Sequence, residues 1–350
     1  MSITAHERPG VYSSYDASAA VSGAAGRKNV GLAVRMTDPA QPMWKMERYE
    51  QAVSALGAGE GAELVRLLLE NGAAQVYVYP VEGEDKAAYQ NAFHAMETQE
   101  ELAVLVCDST LIEVQQALRD SVCTASAALR ERIAVVAGGV RETVNELVER
   151  AQAINSERVV LTAPGCVDRQ GNGASGVRVA AAAAGVIAGQ TDPAVPLGGA
   201  VLTGLYGLDG QYVDNELDVL IRGGVTPVEE LSGTVSVVRG VTTRTMTDGV
   251  TDSTWRDLNS ILVVDDVIPA IRNALKSRFR RAKNTAQTRG AIRSQVVLEL
   301  ENKLSREIIT GYEGVRVQQD SAEPTRCLVD FSFTVTHGIN QIWLSAHITI

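Results

Sequence analysis

The chain has 350 residues, with 32 Lys and Arg against 42 Asp and Glu, a net charge of −10, and 45% hydrophobic residues. That length suits two domains, each able to bury its own core, and the composition excludes a disordered or fibrous chain. The acidic total excludes a nucleic-acid binder coated in positive charge, but leaves room for a local basic patch.

Residues 1–26 are small and polar, with Pro9-Gly10 and a Ser, Ala and Gly run from Ala17 to Gly26. They carry too little apolar surface to order alone, yet Val11, Tyr12 and Tyr15 are strand formers. Such an arm is expected to order on a partner. From Asn29 the pattern becomes regular. Val30–Val34 reads as a strand and Glu60–Asn71 as a helix capped by Gly72. Strands are then expected at Gln75–Val81, Leu102–Cys107, Ile133–Ala137 and Val159–Ala163. Helices are expected at Lys86–Met96, Ile112–Leu129, Val144–Ile154 and Arg178–Ala188. Strands apolar on both faces and separated by helices predict a mostly parallel, helix-covered sheet, an α/β domain.

A Gly- and Pro-punctuated connector follows from Asp192 to Pro227, with a strand expected near Val219–Ile221. The pattern then changes: Val235–Thr245 is β-rich, Leu258–Lys283 and Ile292–Ile309 are helical, and Val315–Gln318 and Leu328–Thr336 are strands. That grouping predicts an α+β domain. The expected organisation is an N-terminal arm over 1–26, the α/β domain with its connector over 27–227, the α+β domain over 228–340 and an arm strand over 341–350. In the last strand Val329, Phe331, Phe333 and Val335 share one face. After His337-Gly338 the alternation resumes with Ile342, Leu344, Ala346, Ile348 and Ile350. An apolar alternation carried to the last residue is expected to be paired with something.

Little in the chain points to catalysis. The four cysteines (Cys107, Cys123, Cys166, Cys327) contain no CxxC pair, and the four histidines no HExxH. Cys107 and Cys123 read as buried thiols of a reducing compartment. The turns at Gly138-Gly139 and Pro164-Gly165 lack GxGxxG, no GxxxxGK occurs, and Gln170–Gly176 lacks the order of a nucleophile elbow. Asp265-Asp266 read as acidic caps before a helix with Pro269 in its first turn. His337 and His347 have no partner pattern. No nucleophile, base and orienter come together, so no enzyme, cofactor or metal is expected. The N-terminus lacks an apolar signal region, and Val177–Ala188 is too short to cross a bilayer, so a soluble cytoplasmic protein is expected.

The charge is unevenly spread. Val267 to Leu298 holds eight Arg and Lys and no acidic residue, leaving −18 for the rest of a chain whose total is −10. On the helix through this island, Val264, Ile268, Ile271, Leu275 and Phe279 form an apolar stripe. Arg272, Lys276, Arg280 and Lys283 form a cationic stripe beside it. The plain reading is a solvated helix face. The complete lack of acids favours a surface that meets an acidic partner, protein or nucleic acid.

Arg8-Pro9-Gly10-Val11-Tyr12 resembles the N-terminal PGVY signature of contractile tail sheath proteins of bacteriophages and R-type bacteriocins. Arg239-Gly240-Val241-Thr242-Thr243 resembles the strand that opens their C-terminal domain, and Ile261–Ile271, a strand-like run entering a helix, follows in the family's order. The close in Ile348-Thr349-Ile350 resembles their C-terminal arm. The resemblance implies a subunit that polymerises with itself as stacked six-fold rings around a tail tube. It also implies baseplate and tail terminator partners, no nucleic acid and no direct membrane insertion, assembly in the bacterial host cytoplasm, and contraction that drives the tube through a cell envelope. Carried onto this chain, it makes Pro9, Gly10, Val11, Tyr12 and Tyr15 one donated strand, and Ile342, Leu344, Ile348 and Ile350 the other. It turns Arg272, Lys276, Arg280 and Lys283 towards the tube. The alternatives are an α/β enzyme built on residues 75–190 and an assembly module that does not contract.

Overall fold

A computed structural model describes residues 27–340 and 343–345. Its first part runs β1 (Asn29–Arg35), β2 (Trp44–Met46), α1 (Tyr49–Leu56), α2 (Glu60–Glu70), β3 (Val76–Val81), α3 (Lys86–Glu97), β4 (Leu102–Cys107) and α4 (Ile112–Ala127). It continues with β5 (Ile133–Ala137), α5 (Val144–Ile154), β6 (Val159–Ala163), α6 (Val177–Gly189), α7 (Asp214–Arg222), β7 (Val225–Leu231) and β8 (Thr234–Val237). The eight strands form one sheet in the order β2-β3-β1-β4-β5-β6-β7-β8. The six inner strands are parallel and the two edge strands, β2 and β8, are antiparallel. The expected helix-covered parallel sheet is therefore the architecture found. Every residue of β5 and β6 is buried, which is why their sequences, IAVVA and VVLTA, show no alternation.

Two apolar layers flank the sheet. One holds α2 and the alanine-rich α6, whose close approach needs small residues: a Cβ on Gly185 would lie 2.7 Å from the Leu68 carbonyl oxygen. The other holds α3, α4 and α5. Local chemistry sets helix boundaries where it is strong: Asp85 accepts from the Ala88 amide, and Thr143 and Glu146 form a reciprocal capping box.

The second part comprises β9 (Met246–Thr247), β10 (Val250–Thr251), α8 (Leu258–Phe279), α9 (Ala286–Ser305), β11 (Ile309–Gln319) and β12 (Cys327–Val335). β11 and β12 form a two-stranded antiparallel sheet lying on α8 and α9 over a separate core that includes Val267, Ile271, Val296 and Leu300.

Three sequence expectations change here. Val219–Ile221 is helical, inside α7, because the Leu217, Leu220 and Ile221 spacing presents one face and Leu220 is fully buried. The expected domain boundary after 227 falls inside β7, and β8 extends the large sheet to Val237. Finally, Ile261–Ile271 contains no strand: α8 begins at Leu258 and carries Pro269 in its interior. Asp265 and Asp266 are thus not terminal caps. They stand mid-helix as anchors, Asp265 to Arg158 at 2.8 Å and Asp266 to Lys303 at 2.5 Å.

Those anchors locate α8. Lys28 precedes β1, Glu131 precedes β5 and Arg158 precedes β6, and α8 meets all three through Asp265 and Arg272. The helix therefore lies across the amino ends of the parallel strands. Leu258, Ile261 and Leu262 enter the core of the large sheet, whereas Val263, Val267 and Ile271 enter the smaller core. One helix belongs to both domains.

Candidate assembly surfaces

The carboxyl ends of the parallel strands, opposite α8, are open. Chain connections diverge on either side of β1, and a cleft of 650 Å³ lies beside the ends of β1, β3 and β4. Its carboxylates are largely engaged within the chain: Glu84 pairs with Arg35, Glu60 with Arg178 at 2.5 Å, and Asp108 accepts from the Arg35 amide at 2.8 Å and from the Tyr89 hydroxyl. A smaller cleft of 220 Å³ lies at the Gly138 and Gly165 turns. No group of three His, Cys, Asp or Glu able to hold a metal occurs among the described residues. Cys107 and Cys166 are buried, and burial pushes both thiols up to about 12, while Cys123 and Cys327 are half-buried.

The expected arm residues Pro9, Gly10, Val11, Tyr12, Tyr15, Ile342, Ile348 and Ile350 lie outside the described residues. Leu344 lies within them, 92% exposed and in no strand. Among the described residues, the segment after β12 forms no strand pairing with it. After the Thr336 amide donates to the Ile308 carbonyl, Gly338 lies against the Pro196 ring, where a Cβ would stand 2.6 Å away.

The surface that could receive an added strand is the β11–β12 pair. Val329, Phe331, Phe333 and Val335 turn towards α8 and α9, as their alternation predicts, and the intervening side chains face outward. Each strand has one partner among the described residues, so each keeps one edge of unpaired backbone donors and acceptors. β12 runs unbroken over nine residues, whereas β11 has register shifts at Ile309/Gly311 and Glu313/Arg316.

The cationic stripe divides. Arg272 points into the molecule, donating to the Leu129 carbonyl at 3.2 Å and pairing with Glu131. It joins the domains. Lys276 is exposed on α8, but the helix ends at Phe279, so Arg280 caps it and Lys283 sits in the turn to α9. Arg281, which periodicity did not single out, is exposed beside them. Among the described residues, Lys276, Arg280, Arg281 and Lys283 make no ion pair, giving four free cations at one corner. Thr285 accepting from the Thr288 amide at 3.2 Å starts α9, and this Thr cap was the sequence signal that the helix had to stop before it.

The Arg272–Glu131 pair has a sign that can be tested. Burial alone would raise the Glu131 carboxyl, but the hydrogen bond and charge of Arg272 outweigh it and hold the group below the ordinary glutamate range. A depressed carboxylate stabilises the fold above its unfolded pKa, and that gain disappears as pH falls through the folded value. Glu131→Gln is expected to cost about 1 kcal/mol at neutral pH and nothing below the glutamate range, read as the difference between urea midpoints. A cost independent of pH would show that packing, not charge, holds Arg272.

The whole arrangement has close counterparts of known structure. The contracted helical sheath of the anti-feeding prophage matches with a TM-score of 0.70 and 16% identity, covering 99% of both chains. The sheath tail protein of Desulfitobacterium hafniense matches with a TM-score of 0.70 and 12% identity, covering 93% of this chain and all of that one. The contracted sheath of an extracellular contractile injection system matches with a TM-score of 0.67 and 17% identity over 99% of both. These likenesses establish a sheath-protein fold. In sequence, residues 82–243 match the phage tail sheath protein central domain and residues 250–349 the phage tail sheath C-terminal domain. The chain belongs to the contractile tail sheath family. A tail sheath protein of Bacillus phage SP01 is 29% identical over 228 residues, covering 61% of this chain and 37% of that relative's length.

Proposed function

We propose that this protein is the structural subunit of a contractile tail sheath. Copies stack as six-fold rings around a tail tube in the host cytoplasm, bounded by a baseplate and a terminator, and contraction drives the tube through a cell envelope. The observation that carries this reading is the two-stranded β11–β12 sheet, whose outer edges have no partner among the described residues, in a chain of the sheath family. Strands donated by neighbours complete such a sheet through backbone hydrogen bonds, and pockets for alternate side chains give the specificity. Pro9, Gly10, Val11, Tyr12 and Tyr15 supply one such strand and Ile342, Leu344, Ile348 and Ile350 the other. Subunits joined by extended arms can reorient without separating. The work comes from a metastable assembly, with no catalytic step in the subunit.

Electron microscopy of the purified protein, with and without its tube, tests the reading. Hollow striated cylinders of two lengths are expected; single-length polymers would leave an assembly protein that does not contract. In this scheme the free cations at the end of α8 face the tube and call for carboxylates on its surface. Charge reversal of Arg280 and Lys283 together is expected to weaken assembly on the tube about tenfold at low salt, with less effect at high salt and on self-polymerisation. Equal effects on both would place this corner between sheath subunits.

A further inference from the structure

A groove of 430 Å³ runs between the carboxyl ends of α2 and α6 and the loop that follows α6. Its floor is small, with Gly72 and Gly189 so close that a Cβ on either would stand 2.9 Å from the other's Cα. Its wall is apolar, formed by Val195, Pro196, Leu197 and Ala200, and Val195 remains 53% exposed. Arg27, the first described residue, lines the same groove, and Lys28 is pinned beside it, donating its amide to the Ala188 carbonyl at 2.7 Å and accepting from the Ala74 amide at 3.0 Å. Consecutive Cα atoms stand about 3.8 Å apart, so the groove at Arg27 is within reach of the residues that precede it. Those residues read Ala19-Ala20-Val21-Ser22-Gly23-Ala24-Ala25-Gly26, side chains small enough for a floor of glycine. Pro196 also carries Gly338, so the C-terminal segment passes the same loop before Asn340 reaches the cleft between α7 and Arg239.

We propose that residues 19–26 seat in this groove of their own chain. The seat roots the N-terminal arm, leaves only the residues before it to reach a neighbour, and sets that arm beside the Pro196 contact of the C-terminal segment. A segment that covers Val195 and the half-buried Pro196 and Ala200 removes apolar surface from water at small entropic cost, because alanine and glycine have no side-chain rotamers to lose.

Cysteine pairs in dilute, unassembled subunit test this. Val195→Cys is combined in turn with Ala20→Cys, Ser22→Cys and Ala24→Cys, with Val195→Cys alone and Val140→Cys plus Ala24→Cys as controls. All these positions are small or exposed, so folding is retained. A tethered thiol has an effective concentration on the order of millimolar, far above that of a second chain in micromolar solution. At least one pair is expected to close within the monomer under mild oxidation, seen as a faster band and a mass loss of two hydrogens, while the controls stay open. Bonds formed only between chains would assign the groove to a second copy, and no bond at any of the three positions would leave it unfilled; either result overturns the proposal. Because the readout is monomeric, it stands or falls separately from cylinder formation.

Discussion

Asp265→Ala is expected to destabilise the subunit by about 3–5 kcal/mol, measured by urea or thermal unfolding of the unassembled protein. The substitution leaves the Arg158 guanidinium, with its side chain 13% exposed, without its carboxylate. Burial pushes the Asp265 carboxyl above the ordinary aspartate range, and the hydrogen bonds and charge of Arg158 oppose it. The pair is therefore costly to form and costlier to break, because the lone partner keeps its desolvation penalty. The sign of its pH dependence differs from that of Glu131. A carboxyl raised in the folded state binds its proton more tightly there than in the unfolded chain, so its contribution worsens as pH rises through the window between the two values. The double replacement Arg158→Met with Asp265→Leu is expected to recover most of the loss, since an apolar pair of similar volume needs no desolvation. A single-variant cost below about 1 kcal/mol would mean that water reaches the seam and that the domains are joined by packing alone.

The second large effect concerns assembly. Deleting residues 1–16 or residues 341–350 is expected to abolish cylinders while leaving folded monomers. The three cores are filled by described residues between Val30 and Val335. Each added strand contributes modest backbone hydrogen bonds, about 1 kcal/mol apiece, but a subunit in a cylinder is held at several edges at once, so losing one class of link removes the avidity of the whole. Sedimentation separates monomer from polymer and circular dichroism checks the fold. Cylinders that still form after both deletions would dismiss the arm assignment and leave β11 and β12 with another partner.

How much of this was legible in the residues depends on how local the determinant is. The parallel sheet was, because the buried runs of β3 to β6 and the helices between them are each decided within about ten residues. The inward set Val329, Phe331, Phe333 and Val335 was legible from a period of two. The helix from Leu258 was legible, but the strand-like reading of Ile261–Ile271 failed because the first turns of α8 are apolar on two sides, one for each core. Pro269 compounded the error: helix statistics place proline in a first turn, but here tertiary packing offsets the missing hydrogen bond. Arg272 misled for a different reason. Its partner Glu131 is 141 residues away, and no spacing rule reaches that far. The free corner of Arg280, Arg281 and Lys283 was visible as composition but not as geometry, since the helix ends within it.

The sharing of α8 between two cores also fixes an order of events during synthesis. The large sheet is complete in sequence at Val237, yet its core still needs Leu258, Ile261 and Leu262. Until those residues leave the ribosome, the nascent first domain presents an apolar gap on its flank, the kind of surface that chaperones hold and that aggregates recruit. Only afterwards do β11 and β12 emerge, the strands proposed to accept arms from other copies. On the proposed assembly, the N-terminal arm is made first but the sheet that receives neighbours' strands is made last, so a subunit can accept others only after its body has closed.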